Sequence, residues 1–570
     1  MYKNSKYTIL FPLLLAAGVV LGLLLGQYMG RNSTTSQIKG MLRQMALPTN
    51  KLTYTLSLIE NQYVDSVAMD SLAEHVIPLL VKELDPHSVY IPAAEMQQLN
   101  EPLEGEFDGI GVVFNMATDT VIVLNVIPQG PSDKAGIKAG DRIIEINDTL
   151  VAGQKIPQRD VVKKLRGPRG TTVHLGLGRQ GIGELVGVDV VRDKIPIKSI
   201  ESAFRIADGI GYIRHSDFTE GCYEDMRAAV EKLRTGGELK GLILDYRSNG
   251  GGIMQEAIKI LGMFVPKGTE VVSTKGRTED SRQVYRTSSE PILPDLPLAV
   301  LINGNSASAS EIVTGALQDL DRAVVIGQRS YGKGLVQSPR PLGYNAMLKL
   351  TTAKYYIPSG RCIQAIDYSH SQEGSVKAIP DSLITEYRTR AGRKVYDGGG
   401  IMPDIRTEPE YISRFAMTLY ALGFVEDFGD DYMRRHPDQR IDIRNFSITD
   451  RDYADFAEFM KDKKVPYESD TRRALKALKK AAEDDRFADL KEKFDRVEAE
   501  LKDDTQTNLE TYRKEIVETI NNDIVMRHGY SEGVIEHSLK DDPEVLRATE
   551  ILGDGAEYTR IVTEQDTPRK

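Results

Sequence analysis

Three runs near the middle of the chain, GLILDYR (241–247), LAVLIN (298–303) and AVVIG (323–327), are apolar along most of their length and end on polar residues or glycine. A strand with one face in water alternates apolar and polar residues, whereas a strand covered on both faces does not, so these runs read as buried parallel strands. Helical spacing fills the gaps: Tyr223, Met226, Val230 and Leu233 precede Gly236-Gly237, and Ile253, Ala257, Ile260, Leu261 and Phe264 follow a glycine cluster. The alternation over residues 196–410 predicts an α/β core, and in such sheets ligands sit at the carboxyl ends of the strands.

The chain is longer than one such core needs. Its 570 residues correspond to three or four folded units at about 150 residues each. Hydrophobic residues make up 41% and charged ones 27%, a globular balance. The net charge of −10 argues against nucleic acid as a partner, because phosphate binding needs a basic surface. Cys222 and Cys362 are too few for a disulfide scaffold or a four-ligand zinc site; a single disulfide and two free thiols both stay open.

Residues 1–31 form a segment of their own. Residues 8–26, TILFPLLLAAGVVLGLLLG, carry no charge and span about 28 Å as a helix, the thickness of a bilayer core. Lys3 and Lys6 precede this run, so the positive-inside rule predicts a single-pass anchor in the bacterial cytoplasmic membrane, with everything after Arg31 on the periplasmic or extracytoplasmic side. If the segment is cut as a signal peptide, the product is an exported soluble protein.

Residues 32–103 read as helical, with Leu52, Leu56, Leu58 and Ile59, then Leu72, Val76, Leu79, Leu80 and Leu84, near helical spacing, and no chemistry is assigned to Asp85-Pro86-His87. Residues 104–195 change to short strands separated by glycine and proline turns. Residues 411–570 are mostly charged helix: Phe487, Leu490, Phe494, Val497 and Leu501 make a stripe that Tyr512, Ile516 and Ile520 extend, and the last residues, from Gly553, read as a frayed tail.

Chemistry concentrates on three loops. Asn303-Gly304-Asn305-Ser306-Ala307-Ser308-Ala309-Ser310-Glu311 joins a strand to a helix, where small residues permit a sharp turn and free N–H groups of the first helical turn face whatever occupies it. A serine there has the makings of a nucleophile beside backbone oxyanion donors, though serines also simply cap helices. Of eight histidines none is a convincing base, and no H-E-x-x-H points to zinc. Lys333, in Tyr331-Gly332-Lys333-Gly334, is the better base, because burial favours the neutral amine; Gln337 is placed to hold that amine. Gly327–Lys333 fits G-x-x-x-x-G-K, but Gly334 stands where a P-loop needs Ser or Thr and strand-like residues follow, so nucleotide binding is set aside. Arg247-Ser248-Asn249-Gly250-Gly251-Gly252 ends a strand and offers a second donor.

GPSDKAGIKAGDRIIEINDTLV (130–151) resembles the middle of a PDZ domain. Such a domain takes an extended peptide as an added strand and its terminal carboxylate in a backbone loop, a position that Phe107, Gly109, Ile110, Gly111 and Val112 match. Together with D-Y-R-S-N-G-G-G, N-G-N-S-A-S-A-S-E and G-Q-R-S-Y-G-K-G-L-V-Q, the order resembles the carboxyl-terminal processing peptidases, also called tail-specific proteases, over residues 50–405. LDPHSVY (84–90), TTAKYYIPSGRCIQ (351–364) and GIMPDI (400–405) belong to the same likeness. The resemblance implies an α/β multidomain protein: a crotonase- and Clp-protease-like core with an inserted PDZ domain, a helical N-terminal segment and a helical C-terminal extension. It implies Ser308 as nucleophile, Lys333 as base, Gln337 as its helper, and the N–H groups of Ala309 and Gly251 as the oxyanion hole, with neither cofactor nor metal. Tyr246, Gly250, Tyr331 and Cys362 depart from the usual residues without removing a catalytic group. The partners implied are protein substrates with exposed C-termini, and self-association or an adaptor is compatible with the likeness. The alternative is a membrane-tethered PDZ scaffold whose α/β part is inert.

Overall fold

Uniform apolarity in the central strands requires cover on both faces, and both covers are present. The computed structural model describes residues 50–96, 101, 105–116, 119–179, 181–367, 377–378, 384–501 and 504–563. The apolar run at 8–26 lies outside them, and among the described residues no helix is long and apolar enough to cross a membrane. Two units are distinguished, residues 1–83 and 84–570. In the first, α1 (Lys51–Gln62) is capped by Asn50, whose side chain accepts the Leu52 N–H, and α2 (Met69–Lys82) follows.

In the second unit the helical reading of residues 32–103 fails after Leu84. Val89–Ile91 form a strand, β1, which pairs antiparallel with a distant strand, a partner that local periodicity does not disclose. Then β2 (Glu106–Gly109), β3 (Val112–Asn115), β4 (Val121–Val126), α3 (Pro131–Lys134), β5 (Arg142–Ile146), β6 (Thr149–Leu150), α4 (Gln158–Leu165), β7 (Thr172–Gly178), β8 (Val186–Val191) and β9 (Asp193–Pro196) make a PDZ module. Its main sheet runs β3-β4-β5-β7-β8 with β6 on β5, while β2 and β9 form a separate ribbon. Val121, Val123, Ile143, Val161, Val173 and Leu175 fill its core.

The α/β core comprises β10 (Ile200–Ala207), β11 (Ile210–His215), α5 (Cys222–Thr235), β12 (Gly241–Asp245), α6 (Met254–Leu261), β13 (Glu270–Gly276), β14 (Gln283–Arg286), β15 (Leu298–Ile302), α7 (Ala309–Asp319), β16 (Ala323–Gly327), β17 (Leu335–Pro341), β18 (Met347–Tyr356) and β19 (Ile405–Arg406). One sheet runs β10-β11-β12-β15-β16-β19, parallel except for the β10–β11 pair, and a second carries β1-β18-β13-β14 with β17 on β18. The run after Lys333 is thus strand, as expected. Leu242, Leu244, Leu298 and Val300 face α5, α6 and α7, and both cysteines are free.

The opposite face is covered by helices from the C-terminal region expected after residue 410. Ile243, Ala299, Leu301, Val324 and Ile326 pack on Val545, Ala548, Ile551 and Leu552 of α15 (Pro543–Gly553) and on Ile561 and Val562 of α16 (Gly555–Thr563). The chain's last helices therefore complete the α/β core, and residues expected to fray are helical to Thr563. Between lie α8 (Arg414–Ala421), α9 (Phe424–Arg435), α10 (Asp450–Phe459), α11 (Asp470–Asp484), α12 (Lys491–Glu500), α13 (Thr505–Thr511) and α14 (Arg513–Ser538), around a core of their own. The predicted stripe is divided: Ile516 and Ile520 are buried in that core, while Phe487 and Val497 stay exposed.

Candidate functional site

The loops after β12, β15 and β16 all leave the carboxyl ends of neighbouring parallel strands, so strand order alone brings 246–253, 303–308 and 328–334 together. Side chains lock them to one another. Asn303 Oδ1 accepts the N–H groups of Ser248 (2.9 Å) and Asn305 (3.1 Å). Ser306 Oγ donates to Tyr246 O (2.8 Å), and Ser310 Oγ donates to Asn249 O (2.9 Å), which also accepts the Ala307 N–H. Ser306 and Ser310 are fully buried, whereas Ser308 between them is partly exposed. The outer serines of the S-A-S-A-S run are thus structural, and the middle one is left for other work.

Ser308 holds φ 57° and ψ −113°, a conformation that costs a non-glycine residue free energy unless its surroundings impose it. Glu311, three residues on and fully buried, imposes much of it. Its Oε2 accepts the N–H groups of Ser308 (2.8 Å) and Lys333 (2.9 Å), and its Oε1 accepts those of Gly332 (2.7 Å) and the Ser330 hydroxyl (2.5 Å). One carboxylate therefore grips the serine turn and the lysine turn together. Burial raises its pKa, partly offset by these donors. Behind it, Ser308 O accepts from Tyr355 Oη (3.2 Å), and Gln364 Oε1 accepts the Gly334 N–H (2.7 Å).

Burial lowers the pKa of Lys333, and the nearby ammonium of Lys349 lowers it further, against Glu311 and Asp85, which raise it. Asp85-Pro86-His87-Ser88, given no role from sequence, comes beside this lysine. His87 is lowered by its own burial and then by the Lys333 charge. Asp85 accepts the Ser88 hydroxyl (2.9 Å) and the Thr351 hydroxyl (3.2 Å), which fastens this turn to β18. Gln337, expected at the lysine amine, directs its amide N–H to Thr351 Oγ1 (3.2 Å). The signal that would have found Glu311 was its spacing, three residues after a serine at a helix N-terminus, a capping-box position.

The glycine loop meets the serine closely. A Cβ at Gly251 would stand 2.8 Å from both Ser308 Cβ and Ala309 N, and its φ of +95° suits glycine. Its N–H, however, donates to Asn249 Oδ1 (2.8 Å), so the second expected oxyanion donor is occupied by an Asx turn here. In the PDZ module the five residues expected to bind peptide divide as well. Phe107 and Gly109 sit in β2, paired with Ile195 and Asp193, and the Arg166 guanidinium lies 4.4 Å over the Phe107 ring. Ile110 and Gly111, the latter at φ +74°, form the turn into β3, where Val112 begins the open edge of the sheet. Ile110 O and Gly111 O accept from Ser132 and Ile127, which holds the turn from behind.

Three family models match this chain: "Peptidase family S41" over residues 209–370, "PDZ domain" over 109–191, and "Probable PDZ-protease, C-terminal helical domain" over 415–552. The carboxy-terminal-processing protease of Bartonella bacilliformis is 38% identical over 341 residues, 59% of this chain and 76% of that relative. The carboxy-terminal processing protease CtpB of Bacillus subtilis is 33% identical over 317 residues, 55% of this chain and 65% of its own length. Among solved structures, the photosystem II D1 C-terminal processing protease is similar over 63% of this chain and 92% of its own, at 24% identity and a TM-score of 0.34.

Proposed function

This chain belongs to peptidase family S41, the serine-type carboxy-terminal-processing proteases, and on that footing we propose that Ser308 is its nucleophile and Lys333 the base that activates it. The observation that carries the reading is the shared grip of Glu311 on the Ser308 and Lys333 N–H groups, with the lysine pKa lowered by burial. A neutral Lys333 amine takes the hydroxyl proton as Ser308 Oγ attacks the scissile carbonyl carbon. The resulting oxyanion is met by the Ala309 N–H, and by Gly251 once its N–H leaves Asn249. Collapse breaks the C–N bond, and the departing amine takes the proton back from Lys333. Water then attacks the acyl carbon as the Lys333 amine takes its proton, and the bond to Ser308 Oγ breaks while Oγ takes that proton back from Lys333, releasing the carboxylic acid.

The PDZ module selects substrates by their C-terminal tails. A peptide adds along the open edge of β3 with its carboxylate at the Ile110–Val112 turn, which serves the processing of precursors or the degradation of exported proteins. Residues 8–26 hold the catalytic part on the outer side of the cytoplasmic membrane.

The test uses the full chain, wild type beside Ser308→Ala and Lys333→Ala, with one unfolded protein bearing either an apolar or an acidic tail. Wild type cleaves the apolar-tailed form, and each variant loses at least about 10³-fold in kcat. Cleavage by Ser308→Ala overturns the dyad, and equal cleavage of both tails overturns selection by the PDZ module. Protease accessibility of intact cells checks the membrane side.

A further inference from the structure

The helix that closes the second face of the core sheet, α15, begins at the roots of the catalytic loops. Asp542 caps it, Oδ1 accepting the N–H groups of Glu544 (2.9 Å) and Val545 (3.0 Å), and its Oδ2 accepts from Arg247 Nη1 (2.7 Å). Glu544, nearly buried, accepts from the same Nη1 through Oε2 (2.8 Å). Its Oε1 accepts from Gln328 Nε2 (2.6 Å) and Thr407 Oγ1 (2.5 Å).

These partners are not scattered. Arg247 leads into the turn that holds Gly251, and Gln328 is the first residue after β16, on the loop that carries Lys333. The rest of the Arg247 guanidinium is spent on Asp245, which is fully buried and also accepts from Tyr212 and Arg214. Arg247 thus lies between a carboxylate of the strand end and two carboxylates of α15. Donors that lose buried acceptors move to find others, and loops this short move with them.

We infer that Asp542 and Glu544 are positioning residues of the peptidase site, which fix the glycine loop through Arg247 and the lysine loop through Gln328. The inference rests on the Ser308–Lys333 reading. It makes α15 a working part of the active site, about two hundred residues after the last catalytic group in the chain.

The experiment compares full-length wild type, Glu544→Ala, Glu544→Gln, Asp542→Asn and Ser308→Ala. The readouts are kcat and KM on an apolar-tailed substrate, the rate of acylation by a small fluorophosphonate, and amide exchange. Displacement of reacting groups by about 1 Å costs on the order of 10²-fold in rate. Glu544→Ala is therefore expected to lower kcat and the acylation rate together by tenfold or more, with KM and PDZ-peptide binding within twofold of wild type. Faster exchange is expected at 248–252 and 329–334 and not in the PDZ module. Glu544→Gln, which keeps an acceptor for Gln328 and Thr407, recovers part of the rate.

Normal kcat and acylation in a folded Glu544→Ala protein overturn the inference. If that variant does not fold, normal rates in both Glu544→Gln and Asp542→Asn overturn it. Acylation or cleavage by Ser308→Ala overturns the dyad instead, so the two failures are told apart.

Discussion

Glu311 shows how much of this site hangs on a single residue. Its four donors come from two loops, and the positive φ of Ser308 is stable because that carboxylate holds the Ser308 N–H in place. Glu311→Gln keeps the volume but replaces one acceptor oxygen by a donor, so one loop loses its hold; kcat is expected to fall about 10²-fold while the protein stays folded, measured by turnover beside a thermal melt. Lys349 gives a second prediction. With Lys333 as the proposed base, only its free amine can take a proton, so kcat/KM is expected to rise with pH along a limb whose midpoint is the Lys333 pKa, below the ordinary 10.5. The Lys349 ammonium disfavours a second positive charge nearby and pulls that midpoint down. Lys349→Met should move the limb to higher pH and leave the alkaline plateau in place. A pH profile at fixed ionic strength in which the limb stays put, or moves to lower pH, contradicts this account.

At the scale of elements, the fit between β12, α7 and the glycine turn decides whether chemistry can occur. An alanine at Gly251 would put its Cβ 2.6 Å from Ala307 O and against Ser308, pushing the turn away from the serine. Gly251→Ala should lower kcat by about 10²–10³-fold, the scale of a lost oxyanion donor, whereas Gly250→Ala, which meets nothing within 4 Å, should stay near wild type. Parallel kinetics on the two variants check this, and equal losses would remove the argument. The strands and helices that set this geometry were legible from sequence because their apolar periods are local: the runs at 241–247, 298–303 and 323–327 read as strands of one sheet, and the loops at their carboxyl ends marked the candidate site, while the choice of Ser308 among three serines and of Gly251 in its glycine run came from the family resemblance alone. Val89–Ile91 was not legible, since a three-residue strand is defined by its partner β18 and not by any period of its own. Asp85 and Glu544 were hidden for the same reason, as each acts on residues more than two hundred positions away.

Over the whole molecule, the PDZ module and the helical region after Ile412 meet around a cavity of about 450 Å³, walled by Val113 and Ile122 on one side and Ala416, Tyr420 and Met526 on the other. The ion pair across this boundary among the described residues, Arg142–Asp427, is too exposed to contribute more than about 1 kcal/mol, and the apolar wall carries the rest of the contact seen there. One buried group in the wall opposes that joining. Neither carboxyl oxygen of Glu426 accepts a hydrogen bond of ordinary geometry, and burial pushes its pKa up to about 7 from 4.5, with Asp523 and Asp427 adding to the rise and Arg527 opposing it. Between these two pH values the unfolded chain has lost the proton that the folded chain keeps, so the folded state binds more protons and stability falls as pH rises. Below 4.5 the penalty is absent; above about 7 it is complete, on the order of 3 kcal/mol for a shift of this size. Glu426→Gln keeps the shape without the charge. It should leave stability near pH 4.5 little changed and raise the unfolding midpoint at pH 8 by several degrees, flattening the pH dependence in between. Thermal melts of wild type and variant across that range decide the matter: if both curves fall in parallel, the slope belongs to other groups and Glu426 does not loosen the junction between the PDZ module and the helices.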